Sequence, residues 1–277
     1  IAIEGIAGGG GGEDGGEGGA GFVEGVEGGL DFQAQGGRLP VLKLLPNLVS
    51  ILALCSGLTA IRYAIAGNFT LAVLLIGGAA ALDGLDGRLA RMLKSESAIG
   101  AELDSLCDFV NFGVTPALVL YMWGLRPETS LGWIAVLVYA VCCMLRLARF
   151  NVGSKTTVGE AAEKTSFIGV PSPAGALLVL SPLYLSNATN HVLHPSPVLV
   201  AAWMVGIGAL MISRVRTPSL KRITIATDLV RYALVGAVVV VAALLTYPWV
   251  TLLTLCLGYL AGVLWLAMRS FQASRLR

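Results

Sequence analysis

From Leu44 onward, long apolar runs alternate with short polar breaks, at about 46–66, 69–91, 98–123, 131–151, 170–187, 196–213, 230–246 and 249–268. Each is roughly 17 to 25 residues long, enough to carry a helix across the hydrocarbon core of a bilayer. They are too long and too continuously apolar for the alternating strands of a membrane barrel. The pattern predicts an all-α polytopic membrane protein of about eight transmembrane helices, the last two forming a hairpin at Tyr247 and Pro248. No internal repeat is visible.

Charge supports the same count and gives it a direction, because Lys and Arg are retained on the cytoplasmic side. With the first run starting inside, 17 of the 19 basic residues fall at cytoplasmic ends, Arg62 and Arg126 being the exceptions. The expected orientation is N-in, C-in. A net charge of only +2 offers no case for a nucleic-acid partner. Cys55, Cys107, Cys142, Cys143 and Cys256 lie in apolar runs without the paired spacing of a zinc or redox site, and read as reduced packing residues. His191 and His194 share one polar loop and read as solvated rather than metal-bound. Residues 1–37 hold 16 of the 35 glycines, seven of the 17 acids and no Lys or Arg. Such a segment buries too little apolar surface to offset its ordering entropy, so residues 1–43 are expected to be a disordered Gly-rich extension. It lacks the basic start and apolar core of a signal peptide.

Against this background the stretch from Asp83 to Asp108 is chemically out of place. Carboxylates at membrane depth are expensive and mark function by default. Asp83 and Asp86 stand three apart and Asp104 and Asp108 four apart, so each pair shares one face of its helix and the two faces could meet. The orientation puts them at the cytoplasmic ends of the second and third runs, joined through Lys94 to Ser97 and reachable by soluble substrates. An all-oxygen donor set suits Mg²⁺ or Mn²⁺, which keep coordination positions for phosphate, so the two pairs read as a cradle for a diphosphate. Gly87 and Ala90 leave room beside Asp83 and Asp86, and Arg91 offers a permanent cation. Gly100 would let the two helices pack closely.

Asp83, Asp86, Gly87, Ala90, Arg91, Gly100, Asp104 and Asp108 resemble the signature of the CDP-alcohol phosphatidyltransferase family at every fixed position. Eight specified residues would coincide by chance on the order of 10⁻¹⁰ per start position, so the match is specific. The resemblance implies a core of six helices around a cytoplasm-facing polar cavity, two bound divalent ions, and displacement of CMP by an alcohol. It implies a catalytic membrane core at 44–213, followed by a cytoplasmic loop and helix hairpin at 214–268 and a basic tail at 269–277. It makes Asp83, Asp86 and Asp104 metal ligands and Asp108 a metal ligand or the general base. Gly87, Ala90 and Arg91 would line the CDP moiety of CDP-diacylglycerol. Homodimers are typical of the family.

Within that family, LPNLVSILALCSGLTAI, DSLCDFVNFGVTPA, LRLARFNV and FIGVPSPAGA are similar to stretches of the bacterial and archaeal phosphatidylserine synthases. This implies L-serine as acceptor and a prokaryotic inner or plasma membrane as location. Serine brings a carboxylate, for which Arg146 and Arg149 offer cations. Asn111 and Ser172 are further candidates for the serine site, and Asn47 and Ser50 for the nucleotide end. The basic loop RVRTPSLKR reads as a topology signal that also attracts anionic membrane lipid. Two alternatives stay open: another acceptor (glycerol 3-phosphate, inositol phosphate or choline), and a divalent-cation transporter with the acids as its ion site.

Overall fold

The computed structural model describes residues 44–93, 97–125, 129–156, 169–213 and 227–275, and every regular element among them is helical. The Gly-rich extension, Lys94, the basic loop at 214–226 and Arg277 lie outside the described residues. In chain order the helices are α1 (Leu45–Ile65), α2 (Phe69–Leu93), α3 (Ala98–Asp108), α4 (Thr115–Leu120), α5 (Thr129–Thr156), α6 (Ser172–Val179), α7 (Ser181–Ala188), α8 (Pro197–Ile212), α9 (Thr227–Thr246) and α10 (Pro248–Arg275). Two π-helical turns, Phe109–Val114 and Tyr121–Leu125, join α3 to α4 and extend α4, so Ile99–Leu125 forms one span.

The bundle is built with small residues inside and large apolar ones outside, as expected where the surroundings are lipid. The inner face of α1 carries Pro46, Ser50, Ala53, Gly57, Ala60 and Ala64 at helical spacing, and α2 answers with Ala72, Val73, Ile76 and Ala79. Leu48, Leu52, Ile65 and Leu74 point outward. Larger side chains fill the other half of the core, where Tyr139, Tyr184, Phe112, Met204 and Met211 are buried. Four of the five cysteines are buried and all five are free, as their apolar setting suggests.

Among the described residues, five helices are long and apolar enough to cross a membrane, namely Leu45–Ile65, Phe69–Leu93, Ile99–Leu125, Ser130–Val152 and Pro248–Leu266. The apolar helices Pro197–Ile212 and Leu234–Thr246 are shorter. The fifth apolar run is not a single helix: it divides at Leu180 into α6 and α7. The cause is Pro182, which has no N–H to give the Leu178 carbonyl one turn back. The indole Nε1 of Trp203, on α8, donates to that carbonyl instead at 3.1 Å.

The same device recurs after Asp108. Pro116 cannot donate to the Phe112 carbonyl at the usual four-residue spacing, and the Tyr139 hydroxyl, on α5, donates to it at 3.0 Å. Lipid offers no substitute for a missing backbone partner, so side chains of neighbouring helices close the account. Tyr139→Phe should therefore destabilise the fold by about 1–3 kcal/mol, seen as a lower unfolding midpoint in detergent. An unchanged midpoint would mean that the Phe112 carbonyl has a second donor.

Candidate active site

The close approach of α1 to α2 and α3 assembles the acids. Asp83 from α2 and Asp104 and Asp108 from α3 each present a carboxylate oxygen, all within 4.8 Å of one another. Each of the three is partly buried. Asp86, one turn after Asp83, stands apart from this group: it is 4% exposed and accepts a hydrogen bond from Ser50 Oγ at 2.7 Å. The Ser50 oxygen also lies 3.2 Å from the Pro46 carbonyl, but it has a single proton, which the nearer and charged acceptor takes. The structure thus brings three of the four predicted acids to one point and seats the fourth on α1.

A cavity of about 320 Å³ opens beside this cluster, lined by Pro46, Asn47, Ser50, Asp86, Gly87, Ala90, Arg91, Ser97, Gly100, Ala101 and Asp104. All five residues proposed for the nucleotide end are among them. The two glycines differ in what they do. A Cβ on Gly87 would meet nothing within 4 Å, so its bareness widens the cavity. A Cβ on Gly100 would lie 2.9 Å from Asn47 Oδ1 and 3.0 Å from Ser97 Oγ, so its bareness lets α3 approach α1. Ser97 caps α3 by accepting from the Gly100 N–H at 3.0 Å. Arg91 folds back along α2, its Nε donating to the Gly87 carbonyl at 2.9 Å, which leaves the rest of its fork available on the cavity wall.

The donor set fits a hard divalent cation. The three convergent groups are all carboxylates, at a separation where mutual repulsion favours a cation between them. Asp104 belongs both to this group and to the cavity wall, so an ion held by the acids would lie next to whatever fills the cavity.

The two arginines in the C-terminal half of α5 have different surroundings. Arg146 is partly buried and donates through Nη1 to Ser172 Oγ, at the start of α6, where Ser172 is 1% exposed. Asp108 and Arg146 are near enough for their charges to interact. Arg149 is exposed and donates to the Ile212 carbonyl, the last of α8, at 3.1 Å. Asn111, in the π turn, is 1% exposed and faces α1, since a Cβ on Gly57 would fall on its Oδ1. Its place follows from the wider π turn, which a uniform helical period does not anticipate. His191 and His194 are exposed, stacked on each other with centroids 6.0 Å apart, away from the acids in sequence and in the loop before α8.

The sequence matches the family described as CDP-alcohol phosphatidyltransferase over residues 43–215 and that described as CDP-alcohol phosphatidyltransferase 2 over residues 228–262. Among curated relatives, the CDP-diacylglycerol--serine O-phosphatidyltransferase of Mycobacterium leprae is 38% identical over 80% of this chain and 74% of its own length. The protein of that name from Bacillus subtilis is 35% identical over 65% of this chain and 93% of its own. One from the archaeon Methanocaldococcus jannaschii is 36% identical over 63% of this chain and 73% of its own.

The contrast between the glycines is testable. Gly87→Val should leave the unfolding midpoint nearly unchanged and weaken binding of a cytidine diphosphate lipid by about tenfold or more, because the side chain grows into the cavity. Gly100→Ala should lower the midpoint, because Asn47 and the α1–α3 contact must give way. Equal effects of both on stability would contradict this division.

Proposed function

The chain belongs to the CDP-alcohol phosphatidyltransferase family, and from that premise we propose that it transfers the phosphatidyl group of CDP-diacylglycerol to L-serine, giving phosphatidylserine and CMP. The observation that carries this reading is the three-carboxylate cluster beside a cavity that Arg91 also lines, with Arg146 near enough to Asp108 for their charges to interact. Curated relatives from bacteria and an archaeon that carry the serine enzyme's name support the choice of acceptor.

In this reading the nucleotide end of the lipid lies along Gly87, Ala90 and Arg91, with Asn47 and Ser50 on the α1 side. Ser50 also holds Asp86 in place, so part of its contribution is indirect. The serine hydroxyl oxygen attacks the phosphatidyl phosphorus, a new P–O bond forms, and the P–O bond to CMP breaks. Asp108 takes the hydroxyl proton as attack proceeds. Arg146 and Ser172 hold the acceptor, while Arg149, exposed on α5 and bonded to the last carbonyl of α8, suits lipid headgroups better than the buried site. Asp83, Asp104 and Asp108 would hold Mg²⁺ or Mn²⁺, with Asp86 completing a two-ion arrangement; bound there, such ions supply charge neutralisation to the diphosphate.

The wider arrangement is part of the proposal. The bias of Lys and Arg supports N-in, C-in, with the cavity facing the cytoplasm of a prokaryotic membrane. Residues 44–213 form the catalytic core and 214–268 an added loop and hairpin, in a homodimer embedded in anionic lipid. A cation transporter is the weaker reading, because the cavity beside the acids is also lined by a guanidinium.

Purified protein given CDP-diacylglycerol, Mn²⁺ or Mg²⁺ and a panel of labelled alcohols should release CMP with serine. Chelation should stop turnover and either ion restore it; no turnover with any acceptor in a folded preparation would reject the reading. Asp108→Asn should lower kcat by about 10²–10⁴ with CDP-diacylglycerol binding retained. Wild-type rates in that variant would remove Asp108 from the proton-transfer role.

A further inference from the structure

We propose that Tyr259, on α10, is a specificity-determining residue of the acceptor site, its hydroxyl joining Arg146 to hold the carboxylate of the amino-acid acceptor. This rests on the reading of the chain as a transferase that uses serine. Tyr259 lies outside the acidic signature and outside the first family match, within the second one at 228–262.

The geometry comes from how α10 crosses α6 and α7. Trp249 packs on Tyr184 with ring centroids 6.3 Å apart, and Cys256 Sγ approaches the Leu177 carbonyl at 3.6 Å. Seven residues forward along α10 correspond to seven back along α7 and α6, so the helices run antiparallel. One turn beyond Cys256, Tyr259 therefore comes level with the first turn of α6, where Ser172 receives Arg146 Nη1. Consistent with this, Tyr259 is near enough to Arg146 for the guanidinium charge to act on its phenol.

Hydrogen-bond accounting then identifies what belongs there. Among the described residues, Arg146 Nε and Tyr259 Oη are both buried side-chain atoms with no hydrogen-bond partner. Buried donors are nearly always paired, and a buried guanidinium needs an acceptor or an anion. Arg146 Nη1 is engaged by Ser172, which leaves the buried Nε as a donor without an acceptor. An N–H from α5 and an O–H from α10 are two donors without an acceptor. A carboxylate supplies two acceptor oxygens and a compensating charge. An acceptor such as choline would bring a second cation to Arg146, and an uncharged alcohol would bring acceptor oxygens without the compensating negative charge.

The phenol also divides labour sensibly. It is not among the residues that line the nucleotide cavity, so its loss leaves the walls that grip the lipid substrate in place.

The test uses the full-length protein in detergent, with CMP release followed against serine and against ethanolamine, which lacks the carboxylate. Wild-type protein should prefer serine. Tyr259→Phe, which removes one oxygen and keeps the ring, should raise the KM for serine about 10- to 100-fold and narrow the preference over ethanolamine. The KM for CDP-diacylglycerol and the unfolding midpoint should stay near wild type, a split that a merely structural role would not produce. Tyr259→His, which restores a donor, should recover part of the lost serine affinity. If wild type turns over serine but Tyr259→Phe keeps its serine KM, or raises both substrates' KM equally, the assignment of Tyr259 is overturned and the serine reading stands. If wild type shows no turnover with serine, both fall together.

Discussion

Mutual repulsion among like charges is the constraint around which the bundle is built. At separations within 4.8 Å, two ionised carboxylates in a partly buried site oppose each other by about 3 kcal/mol or more, and three carboxylates converge here. Such a cluster persists only if the helices that carry it are pressed together by contacts that do not yield. The stripe of small residues on α1 provides that contact for α2, and the bare Gly100 provides it for α3. Ser50 ties the fourth acid to the same stripe, so α1 acts as the backplate of the site although it contributes no carboxylate to it.

The acidic part of the site was legible in the sequence because its information is local. Spacings of three and four within α2 and α3 fix which face each aspartate takes, and the small residues at Gly87, Ala90 and Gly100 fall where the cavity and the helix contact require them. What stayed hidden was long-range. Ser50 meets Asp86 across 36 positions, Tyr139 meets Phe112 across 27, and nothing in either segment names its partner. Tyr259 carries no local signal beyond its place on a partly buried face of α10.

Hydrophobicity and helical spacing also leave three details unread. The fifth apolar run looks continuous, yet Pro182 divides it and Trp203 repairs the gap. Arg146 and Arg149 looked equivalent at three residues apart, yet α6 receives the first and the end of α8 receives the second. Asn111 follows Asp108 by three positions, but the π turn aims it at Gly57 on α1. A uniform helical period cannot anticipate where a turn widens.

The bond from Tyr139 to the Phe112 carbonyl has a mechanical consequence. Tyr139 and Arg146 are seven residues apart on α5, two turns along the same face, while Phe112 is one turn past Asp108. Asp108 and the nearby Arg146 are thus referenced to a single rod. When the bilayer thickens or thins and α5 tilts to match, the tether makes the end of α3 follow, so the gap between Asp108 and Arg146 is buffered against changes in the lipid that surrounds them.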